Sequence, residues 1–338
     1  MNNKGGRKSD HSEILEARGD WVTFRPELKL LDCTVRDGGL MNNHRFEDTF
    51  VKAVYDALVA AGVDYMEIGY KGAKDIYPPD EYGPWKHCDE EDMRRVVGDN
   101  PTELRLSAMA DAERCDYKND IIPCNDSVLD LIRVACYVHQ IPAALEMIYD
   151  AHEKGYQVMA QLMAVSVVRD NELDKALEAL MDSPAEAVYL VDSWGSLYSE
   201  QIRALTKKYL AFCEPAGKQV GFHGHNNQQL AYANTVEAII LGANSVDGTM
   251  YGMGRGAGNC PIELLLNFLK NPKFQLRPVI DCIQKHVRPM HSELRWGPEI
   301  PYMITGQLNE HPRAAMKFME GDNPDDFVAF YDQMMEEE

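Results

Sequence analysis

The residues able to do chemistry collect in three short segments: D-C-T-V-R-D-G-G at 32–39, H-G-H-N-N at 223–227 and Y-G-M-G-R-G-A-G-N at 251–259. His223 and His225 are two residues apart. On a continuing strand that spacing places both imidazoles on one face. Two such histidines can hold one metal ion with a carboxylate from another strand as third ligand. An H-x-H pair alone is also read as structural; Asp37 and Asn259, each following a different apolar run, favour the metal. Arg36 precedes Asp37. As a plain ion pair it would brace a strand end, whereas beside a metal its guanidinium would stabilise an enolate oxygen. Gly38 and Gly39 let the backbone turn sharply there.

Polar residues interrupt other apolar runs at Glu67, Arg133, Asp192 and Ser193. These are expected to touch substrate or to brace the residues that do. The glycine-rich run fits no nucleotide loop: Gly252, Gly254 and Gly258 have the wrong spacing, and no Lys-Ser/Thr pair follows. It is read as a tight turn that delivers Asn259. Cys33 and Cys260 flank the site with no base adjacent in sequence and are read as packing.

The elements that must position these groups alternate. Apolar runs at 28–34, 63–69, 103–109, 129–135, 156–163, 187–192, 219–223 and 245–249 read as strands. Amphipathic segments at 46–61, 141–154, 171–181, 200–212, 228–241 and 262–269 read as helices, several closed by glycine. Eight strands that are apolar nearly throughout suggest a parallel sheet covered outside. The count predicts an α/β (β/α)8 TIM barrel, with an open doubly wound sheet as the alternative. In a barrel all the polar strand ends reach one rim. The stretch from Tyr70 to Asp89 is a long loop of the kind that serves as a lid, and Asp111 to Asp126 holds at most a short helix. The domain reading is a loose lead-in at 1–25, a catalytic barrel at 26–270 and a helical C-terminal extension at 271–338. Helical pieces are expected at 279–287, 313–319 and 326–335, with Pro289, Pro298, Pro301 and Pro312 breaking the middle.

The whole chain sets bounds. It has 338 residues and a formal net charge of −20, which argues against a nucleic-acid partner. No apolar run is long enough to cross a bilayer, and Met1 to Ser9 lacks the apolar core of a signal peptide. Eight scattered cysteines without a C-x-x-C pair predict reduced thiols and a cytoplasmic location.

Together, D-C-T-V-R-D-G, H-G-H-N-N and G-M-G-R-G-A-G-N resemble the DRE-TIM metallolyase superfamily, most closely its 4-hydroxy-2-oxovalerate aldolase-like branch. The resemblance spans roughly Lys29 to Leu269. It implies a (β/α)8 barrel and one divalent ion, Mn²⁺ or Mg²⁺ with Zn²⁺ as a further choice. It implies Asp37, His223 and His225 as metal ligands, Asn259 at a further metal-binding position, and Arg36 as the enolate-stabilising arginine. The implied reaction makes or breaks a carbon–carbon bond of a 2-oxo acid through a metal-bound pyruvate-type enolate, with an aldehyde as the other small-molecule partner. A homo-oligomer is compatible with it, and the tail does not clearly match the aldolase domain that docks a partner dehydrogenase. The alternatives are an acyl-CoA-using Claisen condensing synthase of the same superfamily and a metal-binding, non-catalytic barrel. A carboxyltransferase-like barrel would need a lysine on strand five, and none lies in 156–163. Leu40 stands where the aldolases place a histidine base; His44, four residues further on, substitutes if the loop folds back. Tyr137 stands where a second family histidine follows strand four. His44 and Tyr137 are therefore the expected proton-transfer groups.

Overall fold

In the computed structural model, residues 25–336 are described. The predicted lead-in lies almost wholly outside them. Eight parallel strands close into one barrel in sequence order: β1 (Lys29–Asp32), β2 (Tyr65–Tyr70), β3 (Arg105–Asp111), β4 (Leu131–Cys136), β5 (Gln157–Leu162), β6 (Ala187–Asp192), β7 (Gln219–Gly224) and β8 (Ser245–Gly248). The pairing of β1 with β8, Leu30 opposite Val246 and Asp32 opposite Gly248, completes the ring and excludes the open sheet. The connecting helices are α1 (Asp48–Ala61), α2 (Glu90–Val97), the single turn α3 (Tyr117–Asp120), α4 (Ile141–Glu153), α5 (Asp170–Met181), α6 (Ser199–Cys213), α7 (Ala231–Leu241) and α8 (Ile262–Phe268).

Alternation along each strand explains why so many strand residues are apolar and yet a few are charged. On β4, Ile132, Val134 and Cys136 pack outward into the strand–helix core, while Leu131 and Arg133 face the barrel axis. The lower interior is filled by Leu31, Tyr65, Leu131, Met159 and Tyr189, as expected of a packed barrel. Glu67, Arg133, His223 and Asp247 sit above as a buried polar layer. The β2–β3 register slips between Glu67 and Gly69. A side chain at Gly69 would lie 2.1 Å from the Trp85 carbonyl and 2.6 Å from Cys88 Sγ, so only glycine lets the long β2–α2 connection pack over this strand end.

Three expectations need correction. First, β1 stops at Asp32, and Thr34–Gly38 is a helical turn rather than a strand continuation. The Asp32 carboxylate accepts hydrogen bonds from the Thr34 N–H (3.0 Å) and hydroxyl (2.7 Å), which bends the chain out of the sheet. Second, the extension is more helical than expected. It comprises α9 (Leu276–Cys282), a π turn at Ile283–Val287, α10 (Arg288–Leu294), α11 (Ile300–Gln307), α12 (Arg313–Met319) and α13 (Phe327–Glu336). Third, Pro301 occupies the first turn of α11, where no amide donor is needed, and begins a helix instead of breaking one; Pro289 follows the π turn inside a helical run that continues from Leu276 to Leu294 and does not interrupt it. Among the described residues no helix is long and apolar enough to cross a membrane.

Candidate active site

The turn after β1 presents Arg36 and Asp37 at the C-terminal rim. The Thr34 hydroxyl accepts the Met250 N–H at 2.8 Å, tying this turn to the glycine-rich segment after β8. Arg36 is 5% exposed and grips two carboxylates: Nε donates to Glu67 Oε2 at 2.7 Å, and a terminal nitrogen donates to Asp37 Oδ1 at 3.0 Å. Burial would weaken the guanidinium's hold on its proton, but those carboxylates reverse the effect, so it stays charged. Burial would likewise raise the Asp37 carboxyl. Arg36, His225, His223 and Arg255 hold it well below the usual carboxylate range, as a metal ligand requires.

β7 ends at Gly224, so His223 lies on the strand and His225 just beyond it. His225 pairs with Asn259 in an antiparallel bridge, and the Asn226 N–H donates to the Gly258 carbonyl at 2.9 Å. The glycine-rich segment is thus laced to the end of β7, which delivers Asn259 to the two histidines. The imidazoles meet edge to face at 5.1 Å between centroids. Burial pushes His225 down to about 3, so it presents a neutral nitrogen. One potential ligand atom each from Asp37, His223 and His225 lies within 4.8 Å of the others. His223 Nε2 and Asn259 Oδ1 are buried with no hydrogen-bond partner among the described residues. The Asn259 amide nitrogen meanwhile donates to Asp37 Oδ2 and to the Met253 carbonyl. Two orphaned acceptors beside a buried carboxylate and a neutral imidazole fit a divalent cation.

Below this cluster, Asp247 on β8 accepts from His223 Nδ1 at 2.9 Å and from Arg133 at 2.5 Å. Arg133 also donates to Glu67 Oε2 (2.9 Å) and Gln161 Oε1 (2.9 Å), and stacks over Tyr189 at 4.6 Å. Asp247 fixes the His223 ring so that Nε2 faces Asp37, 4.0 Å away. Asp247 was not singled out in the sequence. Glu67 and Arg133 brace Arg36 and Asp247 from beneath. Asp192 turns elsewhere: its oxygens accept the Ser196 and Leu197 amides at 3.0 and 3.2 Å, and burial pushes it up to about 6. Ser193 lines the cavity, its hydroxyl accepting the Ala164 N–H at 2.9 Å.

A cavity of about 520 Å³ opens over Arg36, Asp37, His223 and His225. Asn43 and His44 both have positive φ, 53° and 59°, and the His44 N–H donates to the Gly39 carbonyl at 2.7 Å. The loop therefore folds back and brings His44 into the cavity wall, edge-on to Tyr70 at 5.2 Å. Its Nδ1 is buried without a partner, and burial keeps the ring neutral. Leu40 lines the same wall. Tyr137 stands at the mouth, 37% exposed and stacked on His139. Further cavity residues escaped the sequence reading. Asp111, at the end of β3, has a buried Oδ1 without a partner. Arg255 enters from the glycine-rich segment, and His311 and Arg313 enter from the extension.

A closed parallel barrel with a carboxylate, two imidazoles and a guanidinium converging at its C-terminal rim defines the class of (β/α)8 enzymes with a metal-type site. The HMGL-like family model matches residues 134–285. An oxaloacetate decarboxylase of Mycobacterium tuberculosis is 35% identical over 245 residues, covering 71% of this chain and 69% of its own length. A 4-hydroxy-2-oxovalerate aldolase of Rhodococcus erythropolis is 28% identical over 258 residues, covering 75% and 70%. The solved N-terminal domain of an aldolase-like protein from Bacteroides vulgatus superposes with a TM-score of 0.75 at 28% identity, covering 88% of this chain and 98% of that domain. The chain belongs to the HMGL-like family of the DRE-TIM superfamily.

Proposed function

We propose that this protein is a divalent-metal-dependent carbon–carbon lyase that cleaves a 2-oxo acid to a pyruvate-type enolate. The observation that carries this reading is the buried set Asp37, His223 and His225, with the Arg36 guanidinium 3.0 Å from Asp37. The relatives named above act in the same sense: one is a decarboxylase of a 2-oxo acid, the other an aldolase of a hydroxy-2-oxo acid. A divalent ion held by Asp37, His223 and His225, with Asn259 beside them, would supply Lewis acidity toward the keto oxygen and carboxylate of the substrate.

The chain's own groups do the rest. Arg36, fixed by Glu67, directs positive charge to where the enolate oxygen develops, and it needs no reorganisation to do so. As the bond between C3 and C4 breaks, its electron pair passes into the enolate. The other fragment leaves as an aldehyde if C4 carries a hydroxyl, or as carbon dioxide if C4 is a carboxylate. In the aldol case the hydroxyl proton passes to a base, and the enolate carbon is protonated afterwards. His44, neutral and lining the cavity, is the group we assign to proton transfer. Its position four residues beyond Leu40 is made usable by the fold-back of the loop.

The test uses the Mn²⁺- or Mg²⁺-loaded protein with oxaloacetate and with 4-hydroxy-2-oxo acids. Pyruvate release is followed by a coupled assay, and exchange of pyruvate methyl protons with deuterated solvent by NMR. Pyruvate from at least one substrate, together with exchange, is the expected result. A fully metal-loaded protein that neither releases pyruvate nor exchanges its methyl protons overturns the assignment.

A further inference from the structure

Lys86 closes a helical turn, Pro84–Lys86, in the long connection between β2 and α2. It is 4% exposed, and its ammonium lies 4.0 Å from the Tyr70 ring centroid and 3.9 Å from that of Tyr77. Among the described residues no hydrogen bond reaches its Nζ and no carboxylate lies within ion-pair distance. Lys71, equally buried, shows the contrast: its ammonium donates to the Cys88 carbonyl at 2.7 Å, as a structural lysine should. An ammonium held by two aromatic faces has no acceptor for its three N–H donors, so its hydrogen-bonding capacity is left to a ligand. Burial accordingly draws Lys86 down to about 8, although Asp111 pulls the other way.

Lys86 lines the same cavity as Arg36 and Asp37. The two cations share the Tyr70 ring, with the Arg36 guanidinium carbon 5.9 Å from its centroid. Arg114, also at the cavity, donates to the Tyr77 hydroxyl at 3.2 Å and so holds that ring against Lys86. A keto acid engaged at Arg36 thus shares the cavity with a preorganised cation that has no carboxylate within ion-pair distance. We propose that Lys86, caged by Tyr70 and Tyr77, reads a second carboxylate on the substrate, beyond the bond that breaks. The preferred substrates are then 2-oxo dicarboxylic acids rather than 2-oxo monocarboxylic ones. This rests on the function proposed above and narrows it.

A matched pair of ligands tests the inference. 2-Oxoglutarate and 2-oxopentanoate have the same chain length and differ in the distal carboxylate. Each is titrated calorimetrically into the Mn²⁺-loaded wild type and into Lys86→Met and Lys86→Gln. The wild type should favour 2-oxoglutarate by about tenfold or more, and either variant should cut that ratio by about tenfold, the scale of one charge-assisted contact. A wild-type ratio near one overturns the inference even if neither variant folds. So does an unchanged ratio in a folded variant. If the metal-loaded wild type binds neither keto acid, the inference falls, while the function proposed above is decided separately by pyruvate release and methyl-proton exchange.

Discussion

Arg36 is held by Glu67 and Asp37 at once, so its charge and its planar geometry are separable experimentally. Arg36→Lys keeps the charge but loses the fork that spans both carboxylates. Metal content measured by elemental analysis should stay stoichiometric while turnover falls on the order of 10²-fold. Near-normal turnover would assign Arg36 to structure alone. The double variant His223→Ala, His225→Ala should instead lose the metal, and full retention would sink the ligand assignment. Asp247 tests the support beneath. Asp247→Ala frees the His223 ring and leaves Arg133 buried with less counter-charge. Metal affinity should fall by about 10- to 100-fold, and denaturant titration should show a loss of about 3–5 kcal/mol. Arg36, Asp37, His223, His225 and Asn259 were legible because polar residues at the ends of apolar runs are chemically conspicuous. Asp247 was not, because a single carboxylate in the four-residue strand S-V-D-G looks like the start of a loop. The register of β7 against β8, with Phe222 opposite Val246, is what sets it beside His223.

At the scale of elements, the loop from Gly39 to His44 carries the proton-transfer assignment. A Cβ at Gly39 would lie 2.1 Å from His44 Nδ1, so the loop closes only over glycine. Tyr137 reaches the mouth of the cavity, where its backbone N–H is anchored by the Gln140 side chain at 3.0 Å. The two proton-transfer candidates are therefore unequal in burial, and His44→Ala should impair carbon–carbon cleavage far more than Tyr137→Phe. The coupled pyruvate assay reads cleavage, and NMR exchange of the pyruvate methyl reads the enolate step, which should be less affected. If both variants keep both activities, the base is a different group, with Asp111 the next to test. The strands and most barrel helices were legible from periodicity, since the outward rows of each strand must match an apolar helix face. The fold-back was not: it depends on two non-glycine residues with positive φ, Asn43 and His44, which no periodicity announces. The turn at Thr34–Gly38 was hidden for a related reason, because Asp32 bends the chain through local hydrogen bonds while the sequence around it still looks strand-like.

Across the whole molecule, a chain of net charge −20 concentrates cations at one cavity: Arg36, Lys86, Arg114, Arg255 and Arg313 face it, against the carboxylates of Asp37 and Asp111. That contrast suits small anionic ligands. The extension takes part, because Asn309 bridges barrel and tail: its amide oxygen accepts the Ser196 hydroxyl at 2.7 Å, and its amide nitrogen donates to the Ser166 carbonyl at 3.1 Å. Ser196 is in turn placed by Asp192, whose carboxylate accepts its N–H. This chain of contacts links the docking of the tail to a titrating group. Burial raises Asp192 from 3.8 to about 6, so the folded state binds that proton more tightly than the unfolded state does. Its contribution to stability is therefore full below about pH 4 and is lost as pH rises through about 6. Asp192→Asn cannot titrate, and whatever constant cost the amide imposes cancels when the two proteins are compared across pH. Relative to wild type, the variant should gain on the order of 3 kcal/mol between pH 4 and pH 7. Denaturant titrations of both proteins at intervals over that range measure the difference directly; parallel stability curves would show that the Asp192 carboxyl is not raised in the folded state.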